Sequence, residues 1–225
     1  MKLSRDVLVI FLIGTLLRFI NLGNQSLWID EALFASWVKS GIFFQEQLPL
    51  LFCHFMPMTE FWLRFIFALS GSLLILVPQF CFKNKKVILI VSAIIAFFPL
   101  FVFWSRVARP YMLAGLFVGL AYTKWNKYFV FNFLSLLCTP FALLGFNFNQ
   151  LFKKSDTKKY LNELNFILFG LFLLFGFYLF TIRPDSGRDF LNWNFVFNAK
   201  RLWVIPIVNL LFLIGKAVDN GLERN

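Results

Sequence analysis

A chain of 225 residues that is 60% hydrophobic and only 15% charged is too apolar for an ordinary soluble domain, in which about half the residues are apolar and about a quarter charged. The formal net charge of +11 would point to nucleic acid in a soluble protein. Here the lysines stand in short clusters between apolar runs, the positive-inside pattern of a polytopic membrane protein, and no nucleic-acid partner is expected.

The first apolar run, about Val7 to Leu22, follows Lys2 and Arg5 and so starts on the cytoplasmic side. It has no small-residue cleavage site and carries Arg18 near its far end, which predicts an uncleaved first crossing. Gly23 and Asn24 supply a turn, Trp28 marks a membrane–water boundary, and Asp30 and Glu31 open a second, shorter helix. Carboxylates in its first turn, with Leu33, Phe34, Trp37 and Val38 at helical spacing, predict a helix lying along the membrane surface. From Gly23 to about Thr59 the chain is too broken to span, and a second juxtamembrane helix is predicted over roughly Leu48 to Met56.

Phe61 to Phe82 is a predicted crossing that ends inside at Lys83, Lys85 and Lys86, and Val87 to Phe103 returns outward to Trp104 and the stretch SRVARPY. From Pro110 the chain runs in to Lys124 and Lys127. Tyr128 to Phe152, taken as one helix, would carry the lysines at 153, 154, 158 and 159 outside. A hairpin of two short helices broken near Thr139 and Pro140 keeps them inside. Leu161 to Ile182 crosses outward, Arg183 to Arg201 forms an external loop, and Leu202 to about Val218 returns. The expected fold is an all-α polytopic membrane bundle of about eight segments with both termini cytoplasmic. It forms a single membrane domain over 1–225, with no soluble domain. Cys53, Cys81 and Cys138 lack paired or metal-ligand spacing and read as packing residues.

This topology gathers Arg18, Asp30, Glu31, His54, Glu60, Arg64, Arg106, Arg109 and the loop from Arg183 to Arg188 on the outer face. Arginines there suit a phosphate, which a guanidinium can chelate while staying charged. A carboxylate beside them suits a general base or a metal ligand. Plainer readings stand next to these: Asp30 as a charge complementing a helix dipole, Glu31 as its solvated neighbour, Arg106 and Arg109 as snorkelling side chains, and His54 as structural.

Three stretches carry a resemblance. LLRFINLGNQSLWIDEA resembles the opening signature of C-type membrane glycosyltransferases, in the branch of protein O-mannosyltransferases and lipid A aminoarabinose transferases. QLPLLFCHFMPMTEFWLRFIFALSG is similar to that family's proline-leucine juxtamembrane helix and Glu-Phe-x-x-Arg entry. WSRVARPYML is similar to its Ser-x-Glu-Ala-Arg-x-Tyr motif, with Val107 in place of the glutamate, and Gln47-Leu48 stand where His-Pro is common. The resemblance covers roughly the first half of the chain. It implies an inverting glycosyltransferase in the cell membrane that takes a sugar from a polyprenyl-phosphate donor to an acceptor on the outer face. Asp30 and Glu31 would be catalytic, Arg109, Arg106 and Arg18 would hold the donor phosphate, and His54, Arg64 and Tyr111 would be accessory. A divalent metal, if used, would sit on Asp30. Because family members are about twice as long, the chain corresponds to their membrane core. The alternative expectation is therefore a non-catalytic lipid-binding or translocating subunit, with membrane lipids and a partner subunit supplying the missing half as its partners.

Overall fold

The structure, a computed structural model, describes residues 4–40, 47–123, 128–139 and 204–222. The chain divides into two compact units, Met1–Phe146 with Val204–Asn225 and Asn147–Trp203, and every described residue belongs to the first. The second arm of the expected hairpin, the crossing from Leu161, the external loop from Arg183 and the lysines between 124 and 159 lie outside the described residues.

All secondary structure among the described residues is helical: α1 (Arg5–Phe19), α2 (Ile29–Ser40), α3 (Gln47–His54), α4 (Glu60–Leu76), α5 (Pro78–Cys81), α6 (Lys85–Phe97), α7 (Pro99–Ser105), α8 (Tyr111–Ala121), α9 (Tyr128–Cys138) and α10 (Val204–Leu222). Local chemistry sets most boundaries. Thr59 caps α4 by accepting from the Trp62 amide, and Asn84 caps α6 by accepting from the Lys86 amide at 2.9 Å. After α1 the chain turns through Asn21 at φ 54°, a left-handed conformation that asparagine tolerates better than most residues. α9 stops at Cys138, just ahead of Thr139 and Pro140, because a residue before proline is driven out of the helical region.

Prolines also divide the runs expected as single crossings. The outward run breaks at Phe98, whose ψ of 125° is extended as the following Pro99 demands, and α6 and α7 meet at a 57° bend. The run from Phe61 breaks at Val77 before Pro78, leaving α4 and a single turn, α5. The first run forms 15 residues of helix, about 22 Å at 1.5 Å per residue, shorter than a hydrocarbon core of roughly 30 Å. No single helix among the described residues is long and apolar enough to cross a membrane. α6 and α7 meet that test only together, across their bend.

α8 is the innermost helix, lying beside α4, α9 and α10, with Met112, Ala114, Val118 and Gly119 buried. α1 lies against α4 and α6, close enough at Gly14 that an added Cβ would come within 2.6 Å of Ile75 Cδ1. The opposite side of α1 is exposed and apolar along Leu8, Leu12, Leu16 and Ile20, with Ile90 and Ile94 of the neighbouring α6 likewise exposed. At one end of the bundle Asp219 of α10 accepts from the Lys83 amide at 3.0 Å and the Asn84 amide at 2.7 Å, and Lys85 pairs with Asp6 of α1 at 2.7 Å. This end holds Lys83, Lys85 and Lys86 and the start of α1. The candidate site is built at the other.

Candidate functional site

The α6–α7 break creates a local need. Pro99 has no N–H for the Ile95 carbonyl four residues back, and the bend takes the next donor away from the Ala96 carbonyl. Arg18, fully buried on the last turn of α1, answers it: Nη2 donates to the Ile95 carbonyl at 2.7 Å, Nη1 to those of Ala96 at 3.1 Å and Gly14 at 2.8 Å, and Nε to Ser105 Oγ at 3.0 Å. Ser105 in turn donates to the Phe101 carbonyl of its own helix. Gly71 of α4 makes room for this cluster, since a Cβ there would lie 2.8 Å from Ser105 Cβ and 3.0 Å from Arg18 Nε. The guanidinium of Arg18, expected at the donor phosphate, is thus engaged with the carbonyls on either side of the Pro99 break, with Gly14 and with Ser105.

Arg106, also expected at the donor phosphate, lies against the end of α1. Half-buried, it donates through Nη2 to the Ile20 carbonyl at 2.9 Å and through Nη1 to that of Leu17 at 3.5 Å, capping the carboxyl end of α1 where a cation also meets the helix dipole.

Asp30 and Glu31 separate because neighbouring residues on a helix point about a hundred degrees apart. Glu31 faces inward and is 1% exposed. Arg64 of α4 grips it with two prongs, Nε to Oε1 at 2.8 Å and Nη2 to Oε2 at 2.7 Å, while the Trp28 amide donates to Oε2 at 3.0 Å and the Ala108 amide to Oε1 at 2.7 Å. The Trp28 bond is the return half of a capping box, a third-position glutamate reaching back to the N-cap amide just ahead of α2. Arg64 also donates to the carbonyls of Leu22 at 3.1 Å, Gln25 at 2.9 Å and Ser26 at 3.1 Å. Burial pushes the Glu31 carboxyl toward its neutral form, but Arg64 and the Ala108 and Trp28 amides outweigh it and hold the group below its ordinary value of 4.5. With donors on both oxygens and no access to solvent, Glu31 has no place for an incoming proton. Glu31, expected to be catalytic, and Arg64, expected to be accessory, are placed here in one buried ion pair.

Asp30 faces the other way. Its side chain is 30% exposed, and Oδ1 lies 3.6 Å from Nη2 of Arg109, which is 8% exposed. A tight turn presents Arg109, its amide donating to the Val107 carbonyl at 2.7 Å ahead of Pro110. The next residue, Tyr111, begins α8 and stacks edge-on against Trp104. Trp104 packs against Phe103, and Phe103 meets the half-exposed Trp28. His54 is exposed at the end of α3, a ring nitrogen 3.4 Å from the Val38 carbonyl and its ring edge-on to Phe55.

Of the residues singled out from the sequence, the structure thus joins Asp30 to Arg109 and Glu31 to Arg64, and sets Arg18 and Arg106 around the carboxyl end of α1. Ser105, Gly71 and the Ala108 amide were not singled out; Ser105, a lone hydroxyl at the end of an apolar run, was the available signal. No group of three or more His, Cys, Asp or Glu that could hold a metal ion occurs among the described residues, and Asp30 beside a guanidinium, with Glu31 turned away into Arg64, does not make a divalent-cation site.

No family model, no curated protein and no solved structure matches this chain.

Proposed function

We propose that the chain is a membrane glycosyltransferase that moves a sugar from a polyprenyl-phosphate carrier to an acceptor on the external face. The observation that carries this reading is the half-open ion pair of Asp30 and Arg109, a carboxylate and a guanidinium 3.6 Å apart at the end of the bundle away from the lysine cluster. The exposed apolar stripe of α1 and α6 supports a bundle set in lipid, as does the run of lysines at its far end.

In the proposed reaction the acceptor oxygen attacks the anomeric carbon. The bond from that carbon to the carrier phosphate breaks, and the phosphate leaves with the bonding electrons. Asp30 takes the proton lost by the acceptor, and Arg109 balances the charge that builds on the departing phosphate oxygen. Attack opposite the leaving group inverts the anomeric centre. No step is routed through a metal. Incubating the purified full chain with a polyprenyl-phosphate-linked sugar and following sugar release or transfer tests the proposal, and a protein that binds the carrier lipid without turnover would sink it.

That second outcome is the content of the alternative reading, a non-catalytic polyprenyl-phosphate-binding or translocating subunit. The engagement of Arg18, Arg106 and Glu31 with backbone groups and Arg64 favours it, because these side chains do not join Asp30 and Arg109 in a larger polar constellation.

A further inference from the structure

We propose that Glu31, gripped by Arg64, is the positioning residue of this site: its carboxylate ties the backbone beside Asp30 to the backbone beside Arg109 and so sets the distance between the two. The inference rests on the reading of Asp30 and Arg109 given above, and it gives Glu31 a part in the reaction without contact to any substrate.

The geometry places one rigid group between two neighbouring pairs. Asp30 directly precedes Glu31 in the chain, and Arg109 directly follows Ala108, whose amide donates to Glu31 Oε1 at 2.7 Å. Asp30 and Arg109 themselves stand at 3.6 Å, longer than the roughly 2.7–2.9 Å of a charge-assisted hydrogen bond. The tight connection between the two segments is therefore the Glu31–Ala108 bond one residue away. Glu31 does not float. Its two oxygens are held by the planar fork of Arg64, and Arg64 is buried on α4 with its remaining donors on the carbonyls of Leu22, Gln25 and Ser26, the strap that leads into α2. One ion pair thus fixes the strap, the start of α2 and the loop before α8 to a core helix. Reacting groups displaced by about 1 Å can lose about a hundredfold in rate, so a group that holds register acts on the reaction from outside it.

The test uses the full chain in detergent, with a polyprenyl monophosphate that carries no sugar as the probe. Its affinity is measured for the native protein, Glu31→Gln, Arg109→Ala and the double variant. Glu31→Gln should weaken the probe about tenfold in the native background, the scale of coupling within one polar network, and should change nothing further once Arg109 is alanine. Equal losses in both backgrounds, or no loss in either, overturn the proposal. Should Glu31→Gln fail to fold, Glu31→Asp keeps the charge while shortening its reach and enters the same cycle. Hydrogen exchange reads the tie without any ligand: in either Glu31 variant, peptides covering 26–30 and 106–110 should exchange faster together, while the Asn84 amide held by Asp219 stays slow. Unchanged exchange at 106–110 also overturns the proposal. A native protein that does not bind the probe refutes the functional reading, and the exchange result then still decides whether Glu31 joins the two segments.

Discussion

Three buried or half-buried arginines sit within a few residues of one another in the fold and do three different jobs, each decided by the groups they face. Arg18 faces carbonyls, Arg64 faces a carboxylate and carbonyls, and Arg109 faces a half-open carboxylate. Replacing Arg18 with methionine roughly keeps the volume but leaves the Ile95 and Ala96 carbonyls without their side-chain donor. At about 1–3 kcal/mol for each buried group left unsatisfied, the thermal unfolding midpoint in detergent should fall steeply, while the folded fraction keeps its affinity for a polyprenyl phosphate. A specific loss of that affinity without loss of stability would return Arg18 to the phosphate site. Glu31 yields a pH prediction. Its folded pKa lies below its ordinary value of 4.5, so the stability it confers is complete above that value and is lost as pH falls through the lower, folded one. Glu31→Gln should therefore be destabilised at neutral pH by about 3–5 kcal/mol, the usual cost of breaking a buried pair, and the gap to the native protein should narrow in acid. A gap independent of pH would mean that the ionised carboxylate is not what stabilises the fold.

Among the elements, α7 is the hinge on which the site depends, since it is set at 57° to α6 by Pro99 and seated on α4 at Gly71. Gly71→Ala puts a methyl into Ser105 and against Arg18, and overpacking of this kind typically costs about 1–3 kcal/mol. A lowered unfolding midpoint together with weaker carrier-lipid binding is expected, because α7 leads directly into Arg109. Full stability in the alanine variant would show that α4 and α7 can separate there without consequence. Much of the helical layout could be read from apolar runs and prolines, including the end of α9 before Pro140. The 57° break within one expected crossing is not legible in Phe98-Pro99, because a proline in an apolar run is compatible with a mild kink as well as with a break. Nor is the docking of α10 through Asp219, whose meaning depends on amides 135 and 136 residues earlier in the chain.

At the scale of the described helical bundle, Asp6, Lys85 and Asp219 lie at one end, and Asp30, Glu31, Arg64, Arg106 and Arg109 at the other. That Asp30, Glu31, Arg64, Arg106 and Arg109 would gather at one end of the helices was legible from the alternation of apolar runs with lysine clusters. Their separate roles were not, because whether a side chain is spent depends on which carbonyls a distant proline has freed and on which of two adjacent carboxylates turns inward. The proposed membrane orientation gives a direct expectation. In intact cells, with Cys53, Cys81 and Cys138 replaced, a cysteine at Asn24 should react with a membrane-impermeant thiol reagent and one at Lys86 should not. The reverse pattern would turn the site to the cytoplasm.

The central claim is that Asp30 accepts a proton beside a phosphate held by Arg109, and turnover of Asp30→Asn measures it most directly. Asparagine keeps the size and much of the hydrogen bonding while removing the charge. Because Asp30 is partly exposed and the buried ion pair beside it is untouched, the variant should fold and bind the lipid donor as the native protein does. A positioned general base contributes about a hundredfold to ten-thousandfold, so sugar transfer from a polyprenyl-phosphate donor should fall by that factor at unchanged donor affinity. An Asp30→Asn protein that transfers sugar at close to the native rate would contradict the account.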